Sequence, residues 1–149
     1  MQINLLPAVE EDKAEIWNTF VHSMRPHIEK IWGWEIEWQE NEFNSRFFEL
    51  NTSFLVSGEK KYGYVQYSLN ENDTYLHMLI LKPSYQGQAL GRKALNVIQG
   101  LQTEKPLRLR CFHINEKALK FYNANGFSTV ENEENFGLME RSLKLQVYL

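Results

Sequence analysis

Apolar residues recur along the chain in two periods, and the switches between them mark its elements. Ile3 to Leu6 reads as a short opening strand ended by Pro7. Glu10, Glu11 and Asp12 place acid where a helix begins, and Ile16, Trp17, Phe20, Val21 and Met24 then share one helical face. Pro26 suits the first position of a second helix with Ile28, Ile31 and Trp32 inward, and Gly33 stops it. From Trp34 to Leu50 acidic and aromatic residues interleave, with Phe43, Phe47 and Leu50 at a spacing that predicts one more helical stretch. Ser53 to Ser57 and Tyr62 to Leu69 follow as antiparallel strands joined across residues 58–61, with Val65, Tyr67 and Leu69 on one face.

The run from Leu76 to Leu81 is almost continuously apolar, Pro83 and Ser84 end it, and Leu90, Ala94, Val97, Ile98 and Leu101 then recur at helical spacing. This is a strand, a turn and a helix. Pro106 precedes another strand from Leu107 to Phe112, where Leu107, Leu109 and Cys111 alternate with Arg108 and Arg110. Asn115 suits the N-cap of the next helix and Gly126 its C-terminal stop. Phe127 to Val130 and Phe136 to Leu143 predict two closing strands around a turn at residues 132–135.

Composition narrows the class. The 149 residues suit one domain spanning 1–149, and 43% hydrophobic with 23% charged residues is ordinary for a globular protein. A formal charge of −3 leaves no basic excess to neutralise a run of phosphates, which argues against a nucleic-acid binder. The single cysteine, Cys111, has no internal disulfide partner, and no window is long and apolar enough for a signal peptide or membrane span, so a cytoplasmic location is expected. No metal site and no membrane partner are expected, and the chain is read as a monomer or homodimer.

The turn after the apolar run carries the first chemistry. Gln86, Gly87, Gln88, Ala89, Leu90, Gly91 and Arg92 open the helix with little bulk, so its unpaired backbone N–H groups can reach an anion, favoured by the helix dipole and by Arg92 and Lys93. The Gly-Lys-Ser/Thr of a P-loop and the spacing of a dinucleotide fingerprint are both absent. The residues resemble the Q/R-x-x-G-x-G/A motif of the GNAT superfamily of acyl-CoA-dependent N-acyltransferases, with Ala89 standing where that pattern has its first glycine. A methyl group is tolerated there if the backbone is already helical, at the cost of holding a pyrophosphate further off. Downstream, Asn115, Ala118, Phe121, Tyr122, Gly126 and Phe127 match the superfamily's N-x-x-A…F/Y-Y…G-F segment.

The resemblance implies an α/β (α+β) GNAT fold: a mixed, mostly antiparallel sheet of about six to seven strands flanked by helices, two of the strands splayed to hold the cofactor. It implies acetyl-CoA as cofactor, held by residues 86–92, by Asn115, and by the central strand at Leu79, Ile80 and Leu81, with Lys117 adding charge near the phosphates. It places Tyr122 beside the sulfur. A phenol keeps its proton at neutral pH and can pass it to a departing thiolate. For the base, His77 sits in the central strand at a position similar to that of a histidine in arylalkylamine N-acetyltransferases. Whether it faces the cleft is set by strand register, because a slip of one residue turns it to the other side. Arg110 stands where ribosomal-protein N-acetyltransferases carry a glutamate base, and a water chain would need no dedicated side chain.

Trp34, Glu37 and Trp38 are the candidate acceptor contacts, since aromatic faces and carboxylates together suit a cationic amine. The same pattern fits tryptophans packed inward beside solvated glutamates. The expected function is transfer of acetyl from acetyl-CoA to a primary amine, small-molecule or peptide, by direct attack. The alternative is a non-catalytic acyl-CoA sensor of the same fold. Cys111, alternating with Leu107 and Leu109 on a packed face, is no acyl carrier.

Overall fold

The computed structural model describes residues 2–87 and 89–142. The strand-forming stretches meet in a single sheet because each carries one apolar row that a neighbour must cover. Among the described residues the strands are β1 (Asn4–Pro7), β2 (Asn51–Ser57), β3 (Lys60–Leu69), β4 (Thr74–Leu81), β5 (Leu107–Phe112), β6 (Ser128–Asn132) and β7 (Phe136–Arg141), in spatial order β1-β2-β3-β4-β5-β7-β6. Only β4 and β5 run parallel. A parallel pair needs a crossover, and α3 (Leu90–Gln99) supplies it. The remaining helices are α1 (Lys13–Trp32), α2 (Ile36–Glu49) and α4 (Glu116–Ala124).

Each face of the sheet has its own core. Val65, Tyr67, Leu76, Leu107, Leu109 and Cys111 pack on Leu90, Ala94, Leu95 and Ile98 of α3, with Phe121 and Tyr122 of α4 against them. On the other face, Phe54, Tyr64, Ile80 and Phe112 meet Ile16, Phe20 and Ile28 of α1 and Phe43 and Phe47 of α2. None of the described helices is long and apolar enough to cross a membrane.

Several sequence expectations need correction. The two helices expected on either side of Pro26 are one, α1, twenty residues long with Pro26 inside it. Proline removes a hydrogen bond there, but burial of Ile16 and Phe20 before it and Ile28 after it keeps both halves on the same core. Trp32, expected inward, is largely exposed. Leu69, at the end of β3, is exposed as well, and so is Leu101, because a 3₁₀ turn over Gly100–Gln102 ends the α-helical spacing before it. β6 starts at Ser128 and β7 ends at Arg141; Leu143 lies outside the described residues.

The feature that shapes the site is an irregularity in β4. Met78 stands opposite Gln66 and Leu76 opposite Tyr67, so His77 is one residue in excess. Such a bulge resets which face each side chain takes. Leu76 before it, and Leu79 and Leu81 after it, join the core of α3 and α4, whereas Met78 and Ile80 join that of α1 and α2. The β4–β5 ladder ends at the same place, running only from Thr74 opposite Leu107 to Leu76 opposite Leu109. Beyond it β5 goes on pairing with β7 as far as Phe112, and β4 parts from it.

Candidate active site

Where β4 and β5 part, a cavity of about 1030 Å³ passes between the two cores, walled by α3 and α4 on one side and by α1 and α2 on the other. On β4, Ile80 pairs with Tyr64 and Lys82 donates to the Tyr62 carbonyl at 2.8 Å, so by alternation the backbone groups of Leu79 and Leu81 point away from β3 into the gap. Ile80 itself gives its backbone to β3 and its side chain to the core of α1 and α2, and it lines the cavity between Leu79 and Leu81.

The α3 corner carries the anion-binding features. The helix's first internal bond runs from Lys93 N–H to the Ala89 carbonyl, and the N–H groups of Leu90, Gly91 and Arg92 precede it. Gly87, Ala89, Gly91 and Arg92 line the cavity, while the Leu90 side chain is buried in the core; Gln88 lies outside the described residues. Ala89 is not helical: with φ 64° and ψ 6° it is the one non-glycine residue at positive φ among those described. Gly91 also has a packing role, since a Cβ there would lie 2.5 Å from Cζ of Phe121. Arg92 Nε donates to Asn125 Oδ1 at 2.9 Å, joining α3 to the end of α4. Gln86 spans the mouth, donating from Nε2 to the Leu81 carbonyl at 3.0 Å and accepting from Lys117 Nζ at 2.9 Å. The Asn115 carboxamide oxygen caps α4 by accepting from Ala118 N–H at 3.2 Å, which leaves its NH₂ for a ligand.

Two cavity-lining groups, Tyr122 and His77, come from opposite faces of the sheet. The Tyr122 ring packs on Phe121 and Phe127 at 5.2 and 5.4 Å, and burial, then the nearby Cys111 thiol, raise its phenol above the ordinary range. The Cys111 thiol is itself pushed up to about 11 by burial. Alternating from Leu76, His77 takes the α1/α2 face, and the bulge keeps Met78 on that face beside it; the His77 Nε2 lies 3.2 Å from Ser68 Oγ and its ring packs edge-on to Tyr75 at 4.5 Å. Burial first, then the charges of Arg46 and Arg110 against a smaller opposing effect of Asp73, lower His77 to about 4. Arg110 is held by the Glu133 carboxylate at 2.9 Å and donates to the Tyr75 hydroxyl at 3.1 Å.

The acceptor candidates divide. Trp38 lines the cavity and is largely exposed. Trp34 instead packs on Trp17 and Phe20 at 6.2 and 6.3 Å, with the Arg25 guanidinium 5.2 Å from its ring, and Glu37 is exposed outside the cavity wall. The sequence reading missed His27, Trp32, Glu42, Arg46, Phe112 and Phe136 as lining residues. Glu42 and Arg46, one helical turn apart, were the detectable signal.

Residues 7–127 match the family described as acetyltransferase (GNAT) family. No curated protein matches the sequence. The fold is similar to that of an acetyltransferase from Thermus thermophilus (24% identity, TM-score 0.73, covering 96% of this chain and 98% of that one). It is similar also to the PaiA N-acetyltransferase from Thermoplasma acidophilum, solved with coenzyme A (17%, 0.70, 95% and 99%). A third similar fold is AAC(6')-Ib, solved with paromomycin and acetyl-CoA (17%, 0.68, 99% and 97%).

Proposed function

The chain belongs to the acetyltransferase (GNAT) family, and we propose that it transfers the acetyl group of acetyl-CoA to a primary amine by direct attack. The observation that supports this reading is the parted β4–β5 pair, with the Leu79 backbone and the Leu81 N–H turned from β3, the opening of α3 and the Tyr122 phenol along one continuous cavity, the Leu81 carbonyl being held by Gln86. The donor set fits coenzyme A, since helix-opening N–H groups with Arg92 and Lys117 suit a pyrophosphate, and the backbone of Leu79 and Leu81 suits an amide-bearing arm. When bound, acetyl-CoA supplies an acyl group activated as a thioester.

The protein's residues then act on charge and protons. In the transfer a C–N bond forms, the C–S bond breaks, the amine loses one proton and the thiolate gains one. Backbone N–H groups at the gap in β4 stabilise the oxyanion. Tyr122 Oη holds a proton at neutral pH, gives it to the thiolate, whose basicity the same desolvation raises, and takes a proton back from water to close the cycle. His77, lowered to about 4, is a weak base. Taking a proton from an ammonium of pKa about 10 would be uphill by roughly 8 kcal/mol, so His77 orients an amine that arrives uncharged, its proton leaving through water. Cys111 does not carry the acyl group: at about 11 its thiol is almost wholly protonated at pH 7.

Free-thiol release from acetyl-CoA with a panel of amines tests the reading. Tyr122→Phe is expected to lower kcat by about a hundredfold with little change in KM for acetyl-CoA. A second reading, a non-catalytic acyl-CoA sensor, draws on Ala89 at the phosphate corner, and coenzyme A binding without turnover of any amine would favour it. Absence of coenzyme A binding would end both.

A further inference from the structure

The acceptor half of the cavity has a composition that selects among amines. Phe112, the last residue of β5, and Phe136, the first of β7, pair across the sheet and stack with ring centroids 4.6 Å apart. Trp32, from the end of α1, packs 5.7 Å from Phe112 and 5.9 Å from Phe136, and the His27 ring lies 6.3 Å from Phe112. All four line the cavity, so an aromatic wall stands on the α1/α2 side at the end of the sheet where β4 and β5 part. Phe112 is buried at the back of this wall, and Trp32 presents its open side to a ligand. Trp32 is 57% exposed and Trp38 59%, although both line the cavity. A tryptophan keeps so much apolar surface in water at a free-energy cost that a ring-bearing ligand would remove.

Charge around this wall is unsuited to a polycation. Glu42 is the only acidic side chain lining the cavity among the described residues, and Arg46 already pairs with it at 3.3 Å. Arg46 and Arg110 line the same half. A ligand with several ammonium groups would find no unpaired carboxylate there, since Glu42 is taken by Arg46, and Arg110 is already paired with Glu133.

We infer that the acceptor is a monoamine in which a flat, apolar ring is joined to the primary amino group by a short chain, the ring lying on the Trp32, Phe112 and Phe136 wall and the amine directed to the gap beside His77. This rests on the acetyltransferase reading and adds the substrate class.

Initial rates of thiol release with acetyl-CoA and 2-phenylethylamine, tryptamine, hexylamine, spermidine and kanamycin test it. The wild type is expected to turn over the two ring monoamines with kcat/KM at least about tenfold above spermidine and kanamycin. Trp32→Ala should raise KM for 2-phenylethylamine about three- to tenfold, leave hexylamine less affected and leave KM for acetyl-CoA unchanged, and Trp32→Phe should recover most of the loss. Equal or better turnover of spermidine or kanamycin would overturn the substrate class while leaving the acetyltransferase reading intact. Equal effects of Trp32→Ala on 2-phenylethylamine and hexylamine would remove the ring-binding wall. Coenzyme A binding without turnover of any amine would defeat the acetyltransferase reading, and the inference with it.

Discussion

Two residues set local limits on the site. Ala89 holds a left-handed conformation that disfavours any side chain by about 1–2 kcal/mol, directly before the helix that opens the anion corner. Ala89→Gly is therefore expected to stabilise the protein by about 0.5–1 kcal/mol in urea denaturation, after the extra entropy of an unfolded glycine is allowed for, and to tighten coenzyme A binding in calorimetry. His77 works in the opposite sense. Its folded value of about 4 lies below the ordinary 6.5, so between those two pH values the unfolded chain binds more protons than the native one. His77 accordingly contributes its stability above pH 6.5 and loses it progressively as pH falls toward 4. Denaturation midpoints measured at pH 7 and pH 5 should drop for the wild type, and the drop should be smaller for His77→Gln.

At the scale of elements, α3, α4 and β4 must fit within a few tenths of an ångström for the corner, the phenol and the gap to serve one ligand. The contact between α3 and α4 is direct: Gly91 faces the ring of Phe121, the neighbour of Tyr122. Gly91→Ala gains helix propensity, but its methyl has to displace an aromatic ring or the helix that carries it. The expected result is a net loss of about 1–3 kcal/mol and a lower kcat, with Phe121→Leu in the same chain restoring part of both. If Gly91→Ala leaves thermal stability and kcat unchanged, the glycine serves the loop alone. The β3–β4 pair is equally tight, because a Cβ on Gly63 would collide with the Ile80 carbonyl oxygen opposite the gap.

For the whole molecule, charge is unevenly placed. The chain carries a formal −3, yet among the described residues the cavity wall bears Arg46, Arg92, Arg110 and Lys117 against Glu42 alone. An anionic cofactor is thereby attracted to one mouth of a molecule that repels it elsewhere, and salt weakens that attraction. KM for acetyl-CoA is expected to rise severalfold between about 0.05 and 0.5 M salt, with a shallower rise in Lys117→Ala. A salt-independent KM would show that these cations serve packing only.

The strand and helix stretches, the N-cap at Asn115, the stop at Gly126 and the two motif segments were legible from the residues alone, because backbone dihedral preferences and side-chain period act over a few neighbours. The face taken by His77, the continuation of α1 through Pro26, the withdrawal of Trp34 into a core and the assembly of the Trp32, Phe112 and Phe136 wall were decided only in three dimensions. Each depends on residues tens of positions apart meeting across a sheet or between layers. Pairing register and burial are energies of those meetings, and no local period in the chain encodes them.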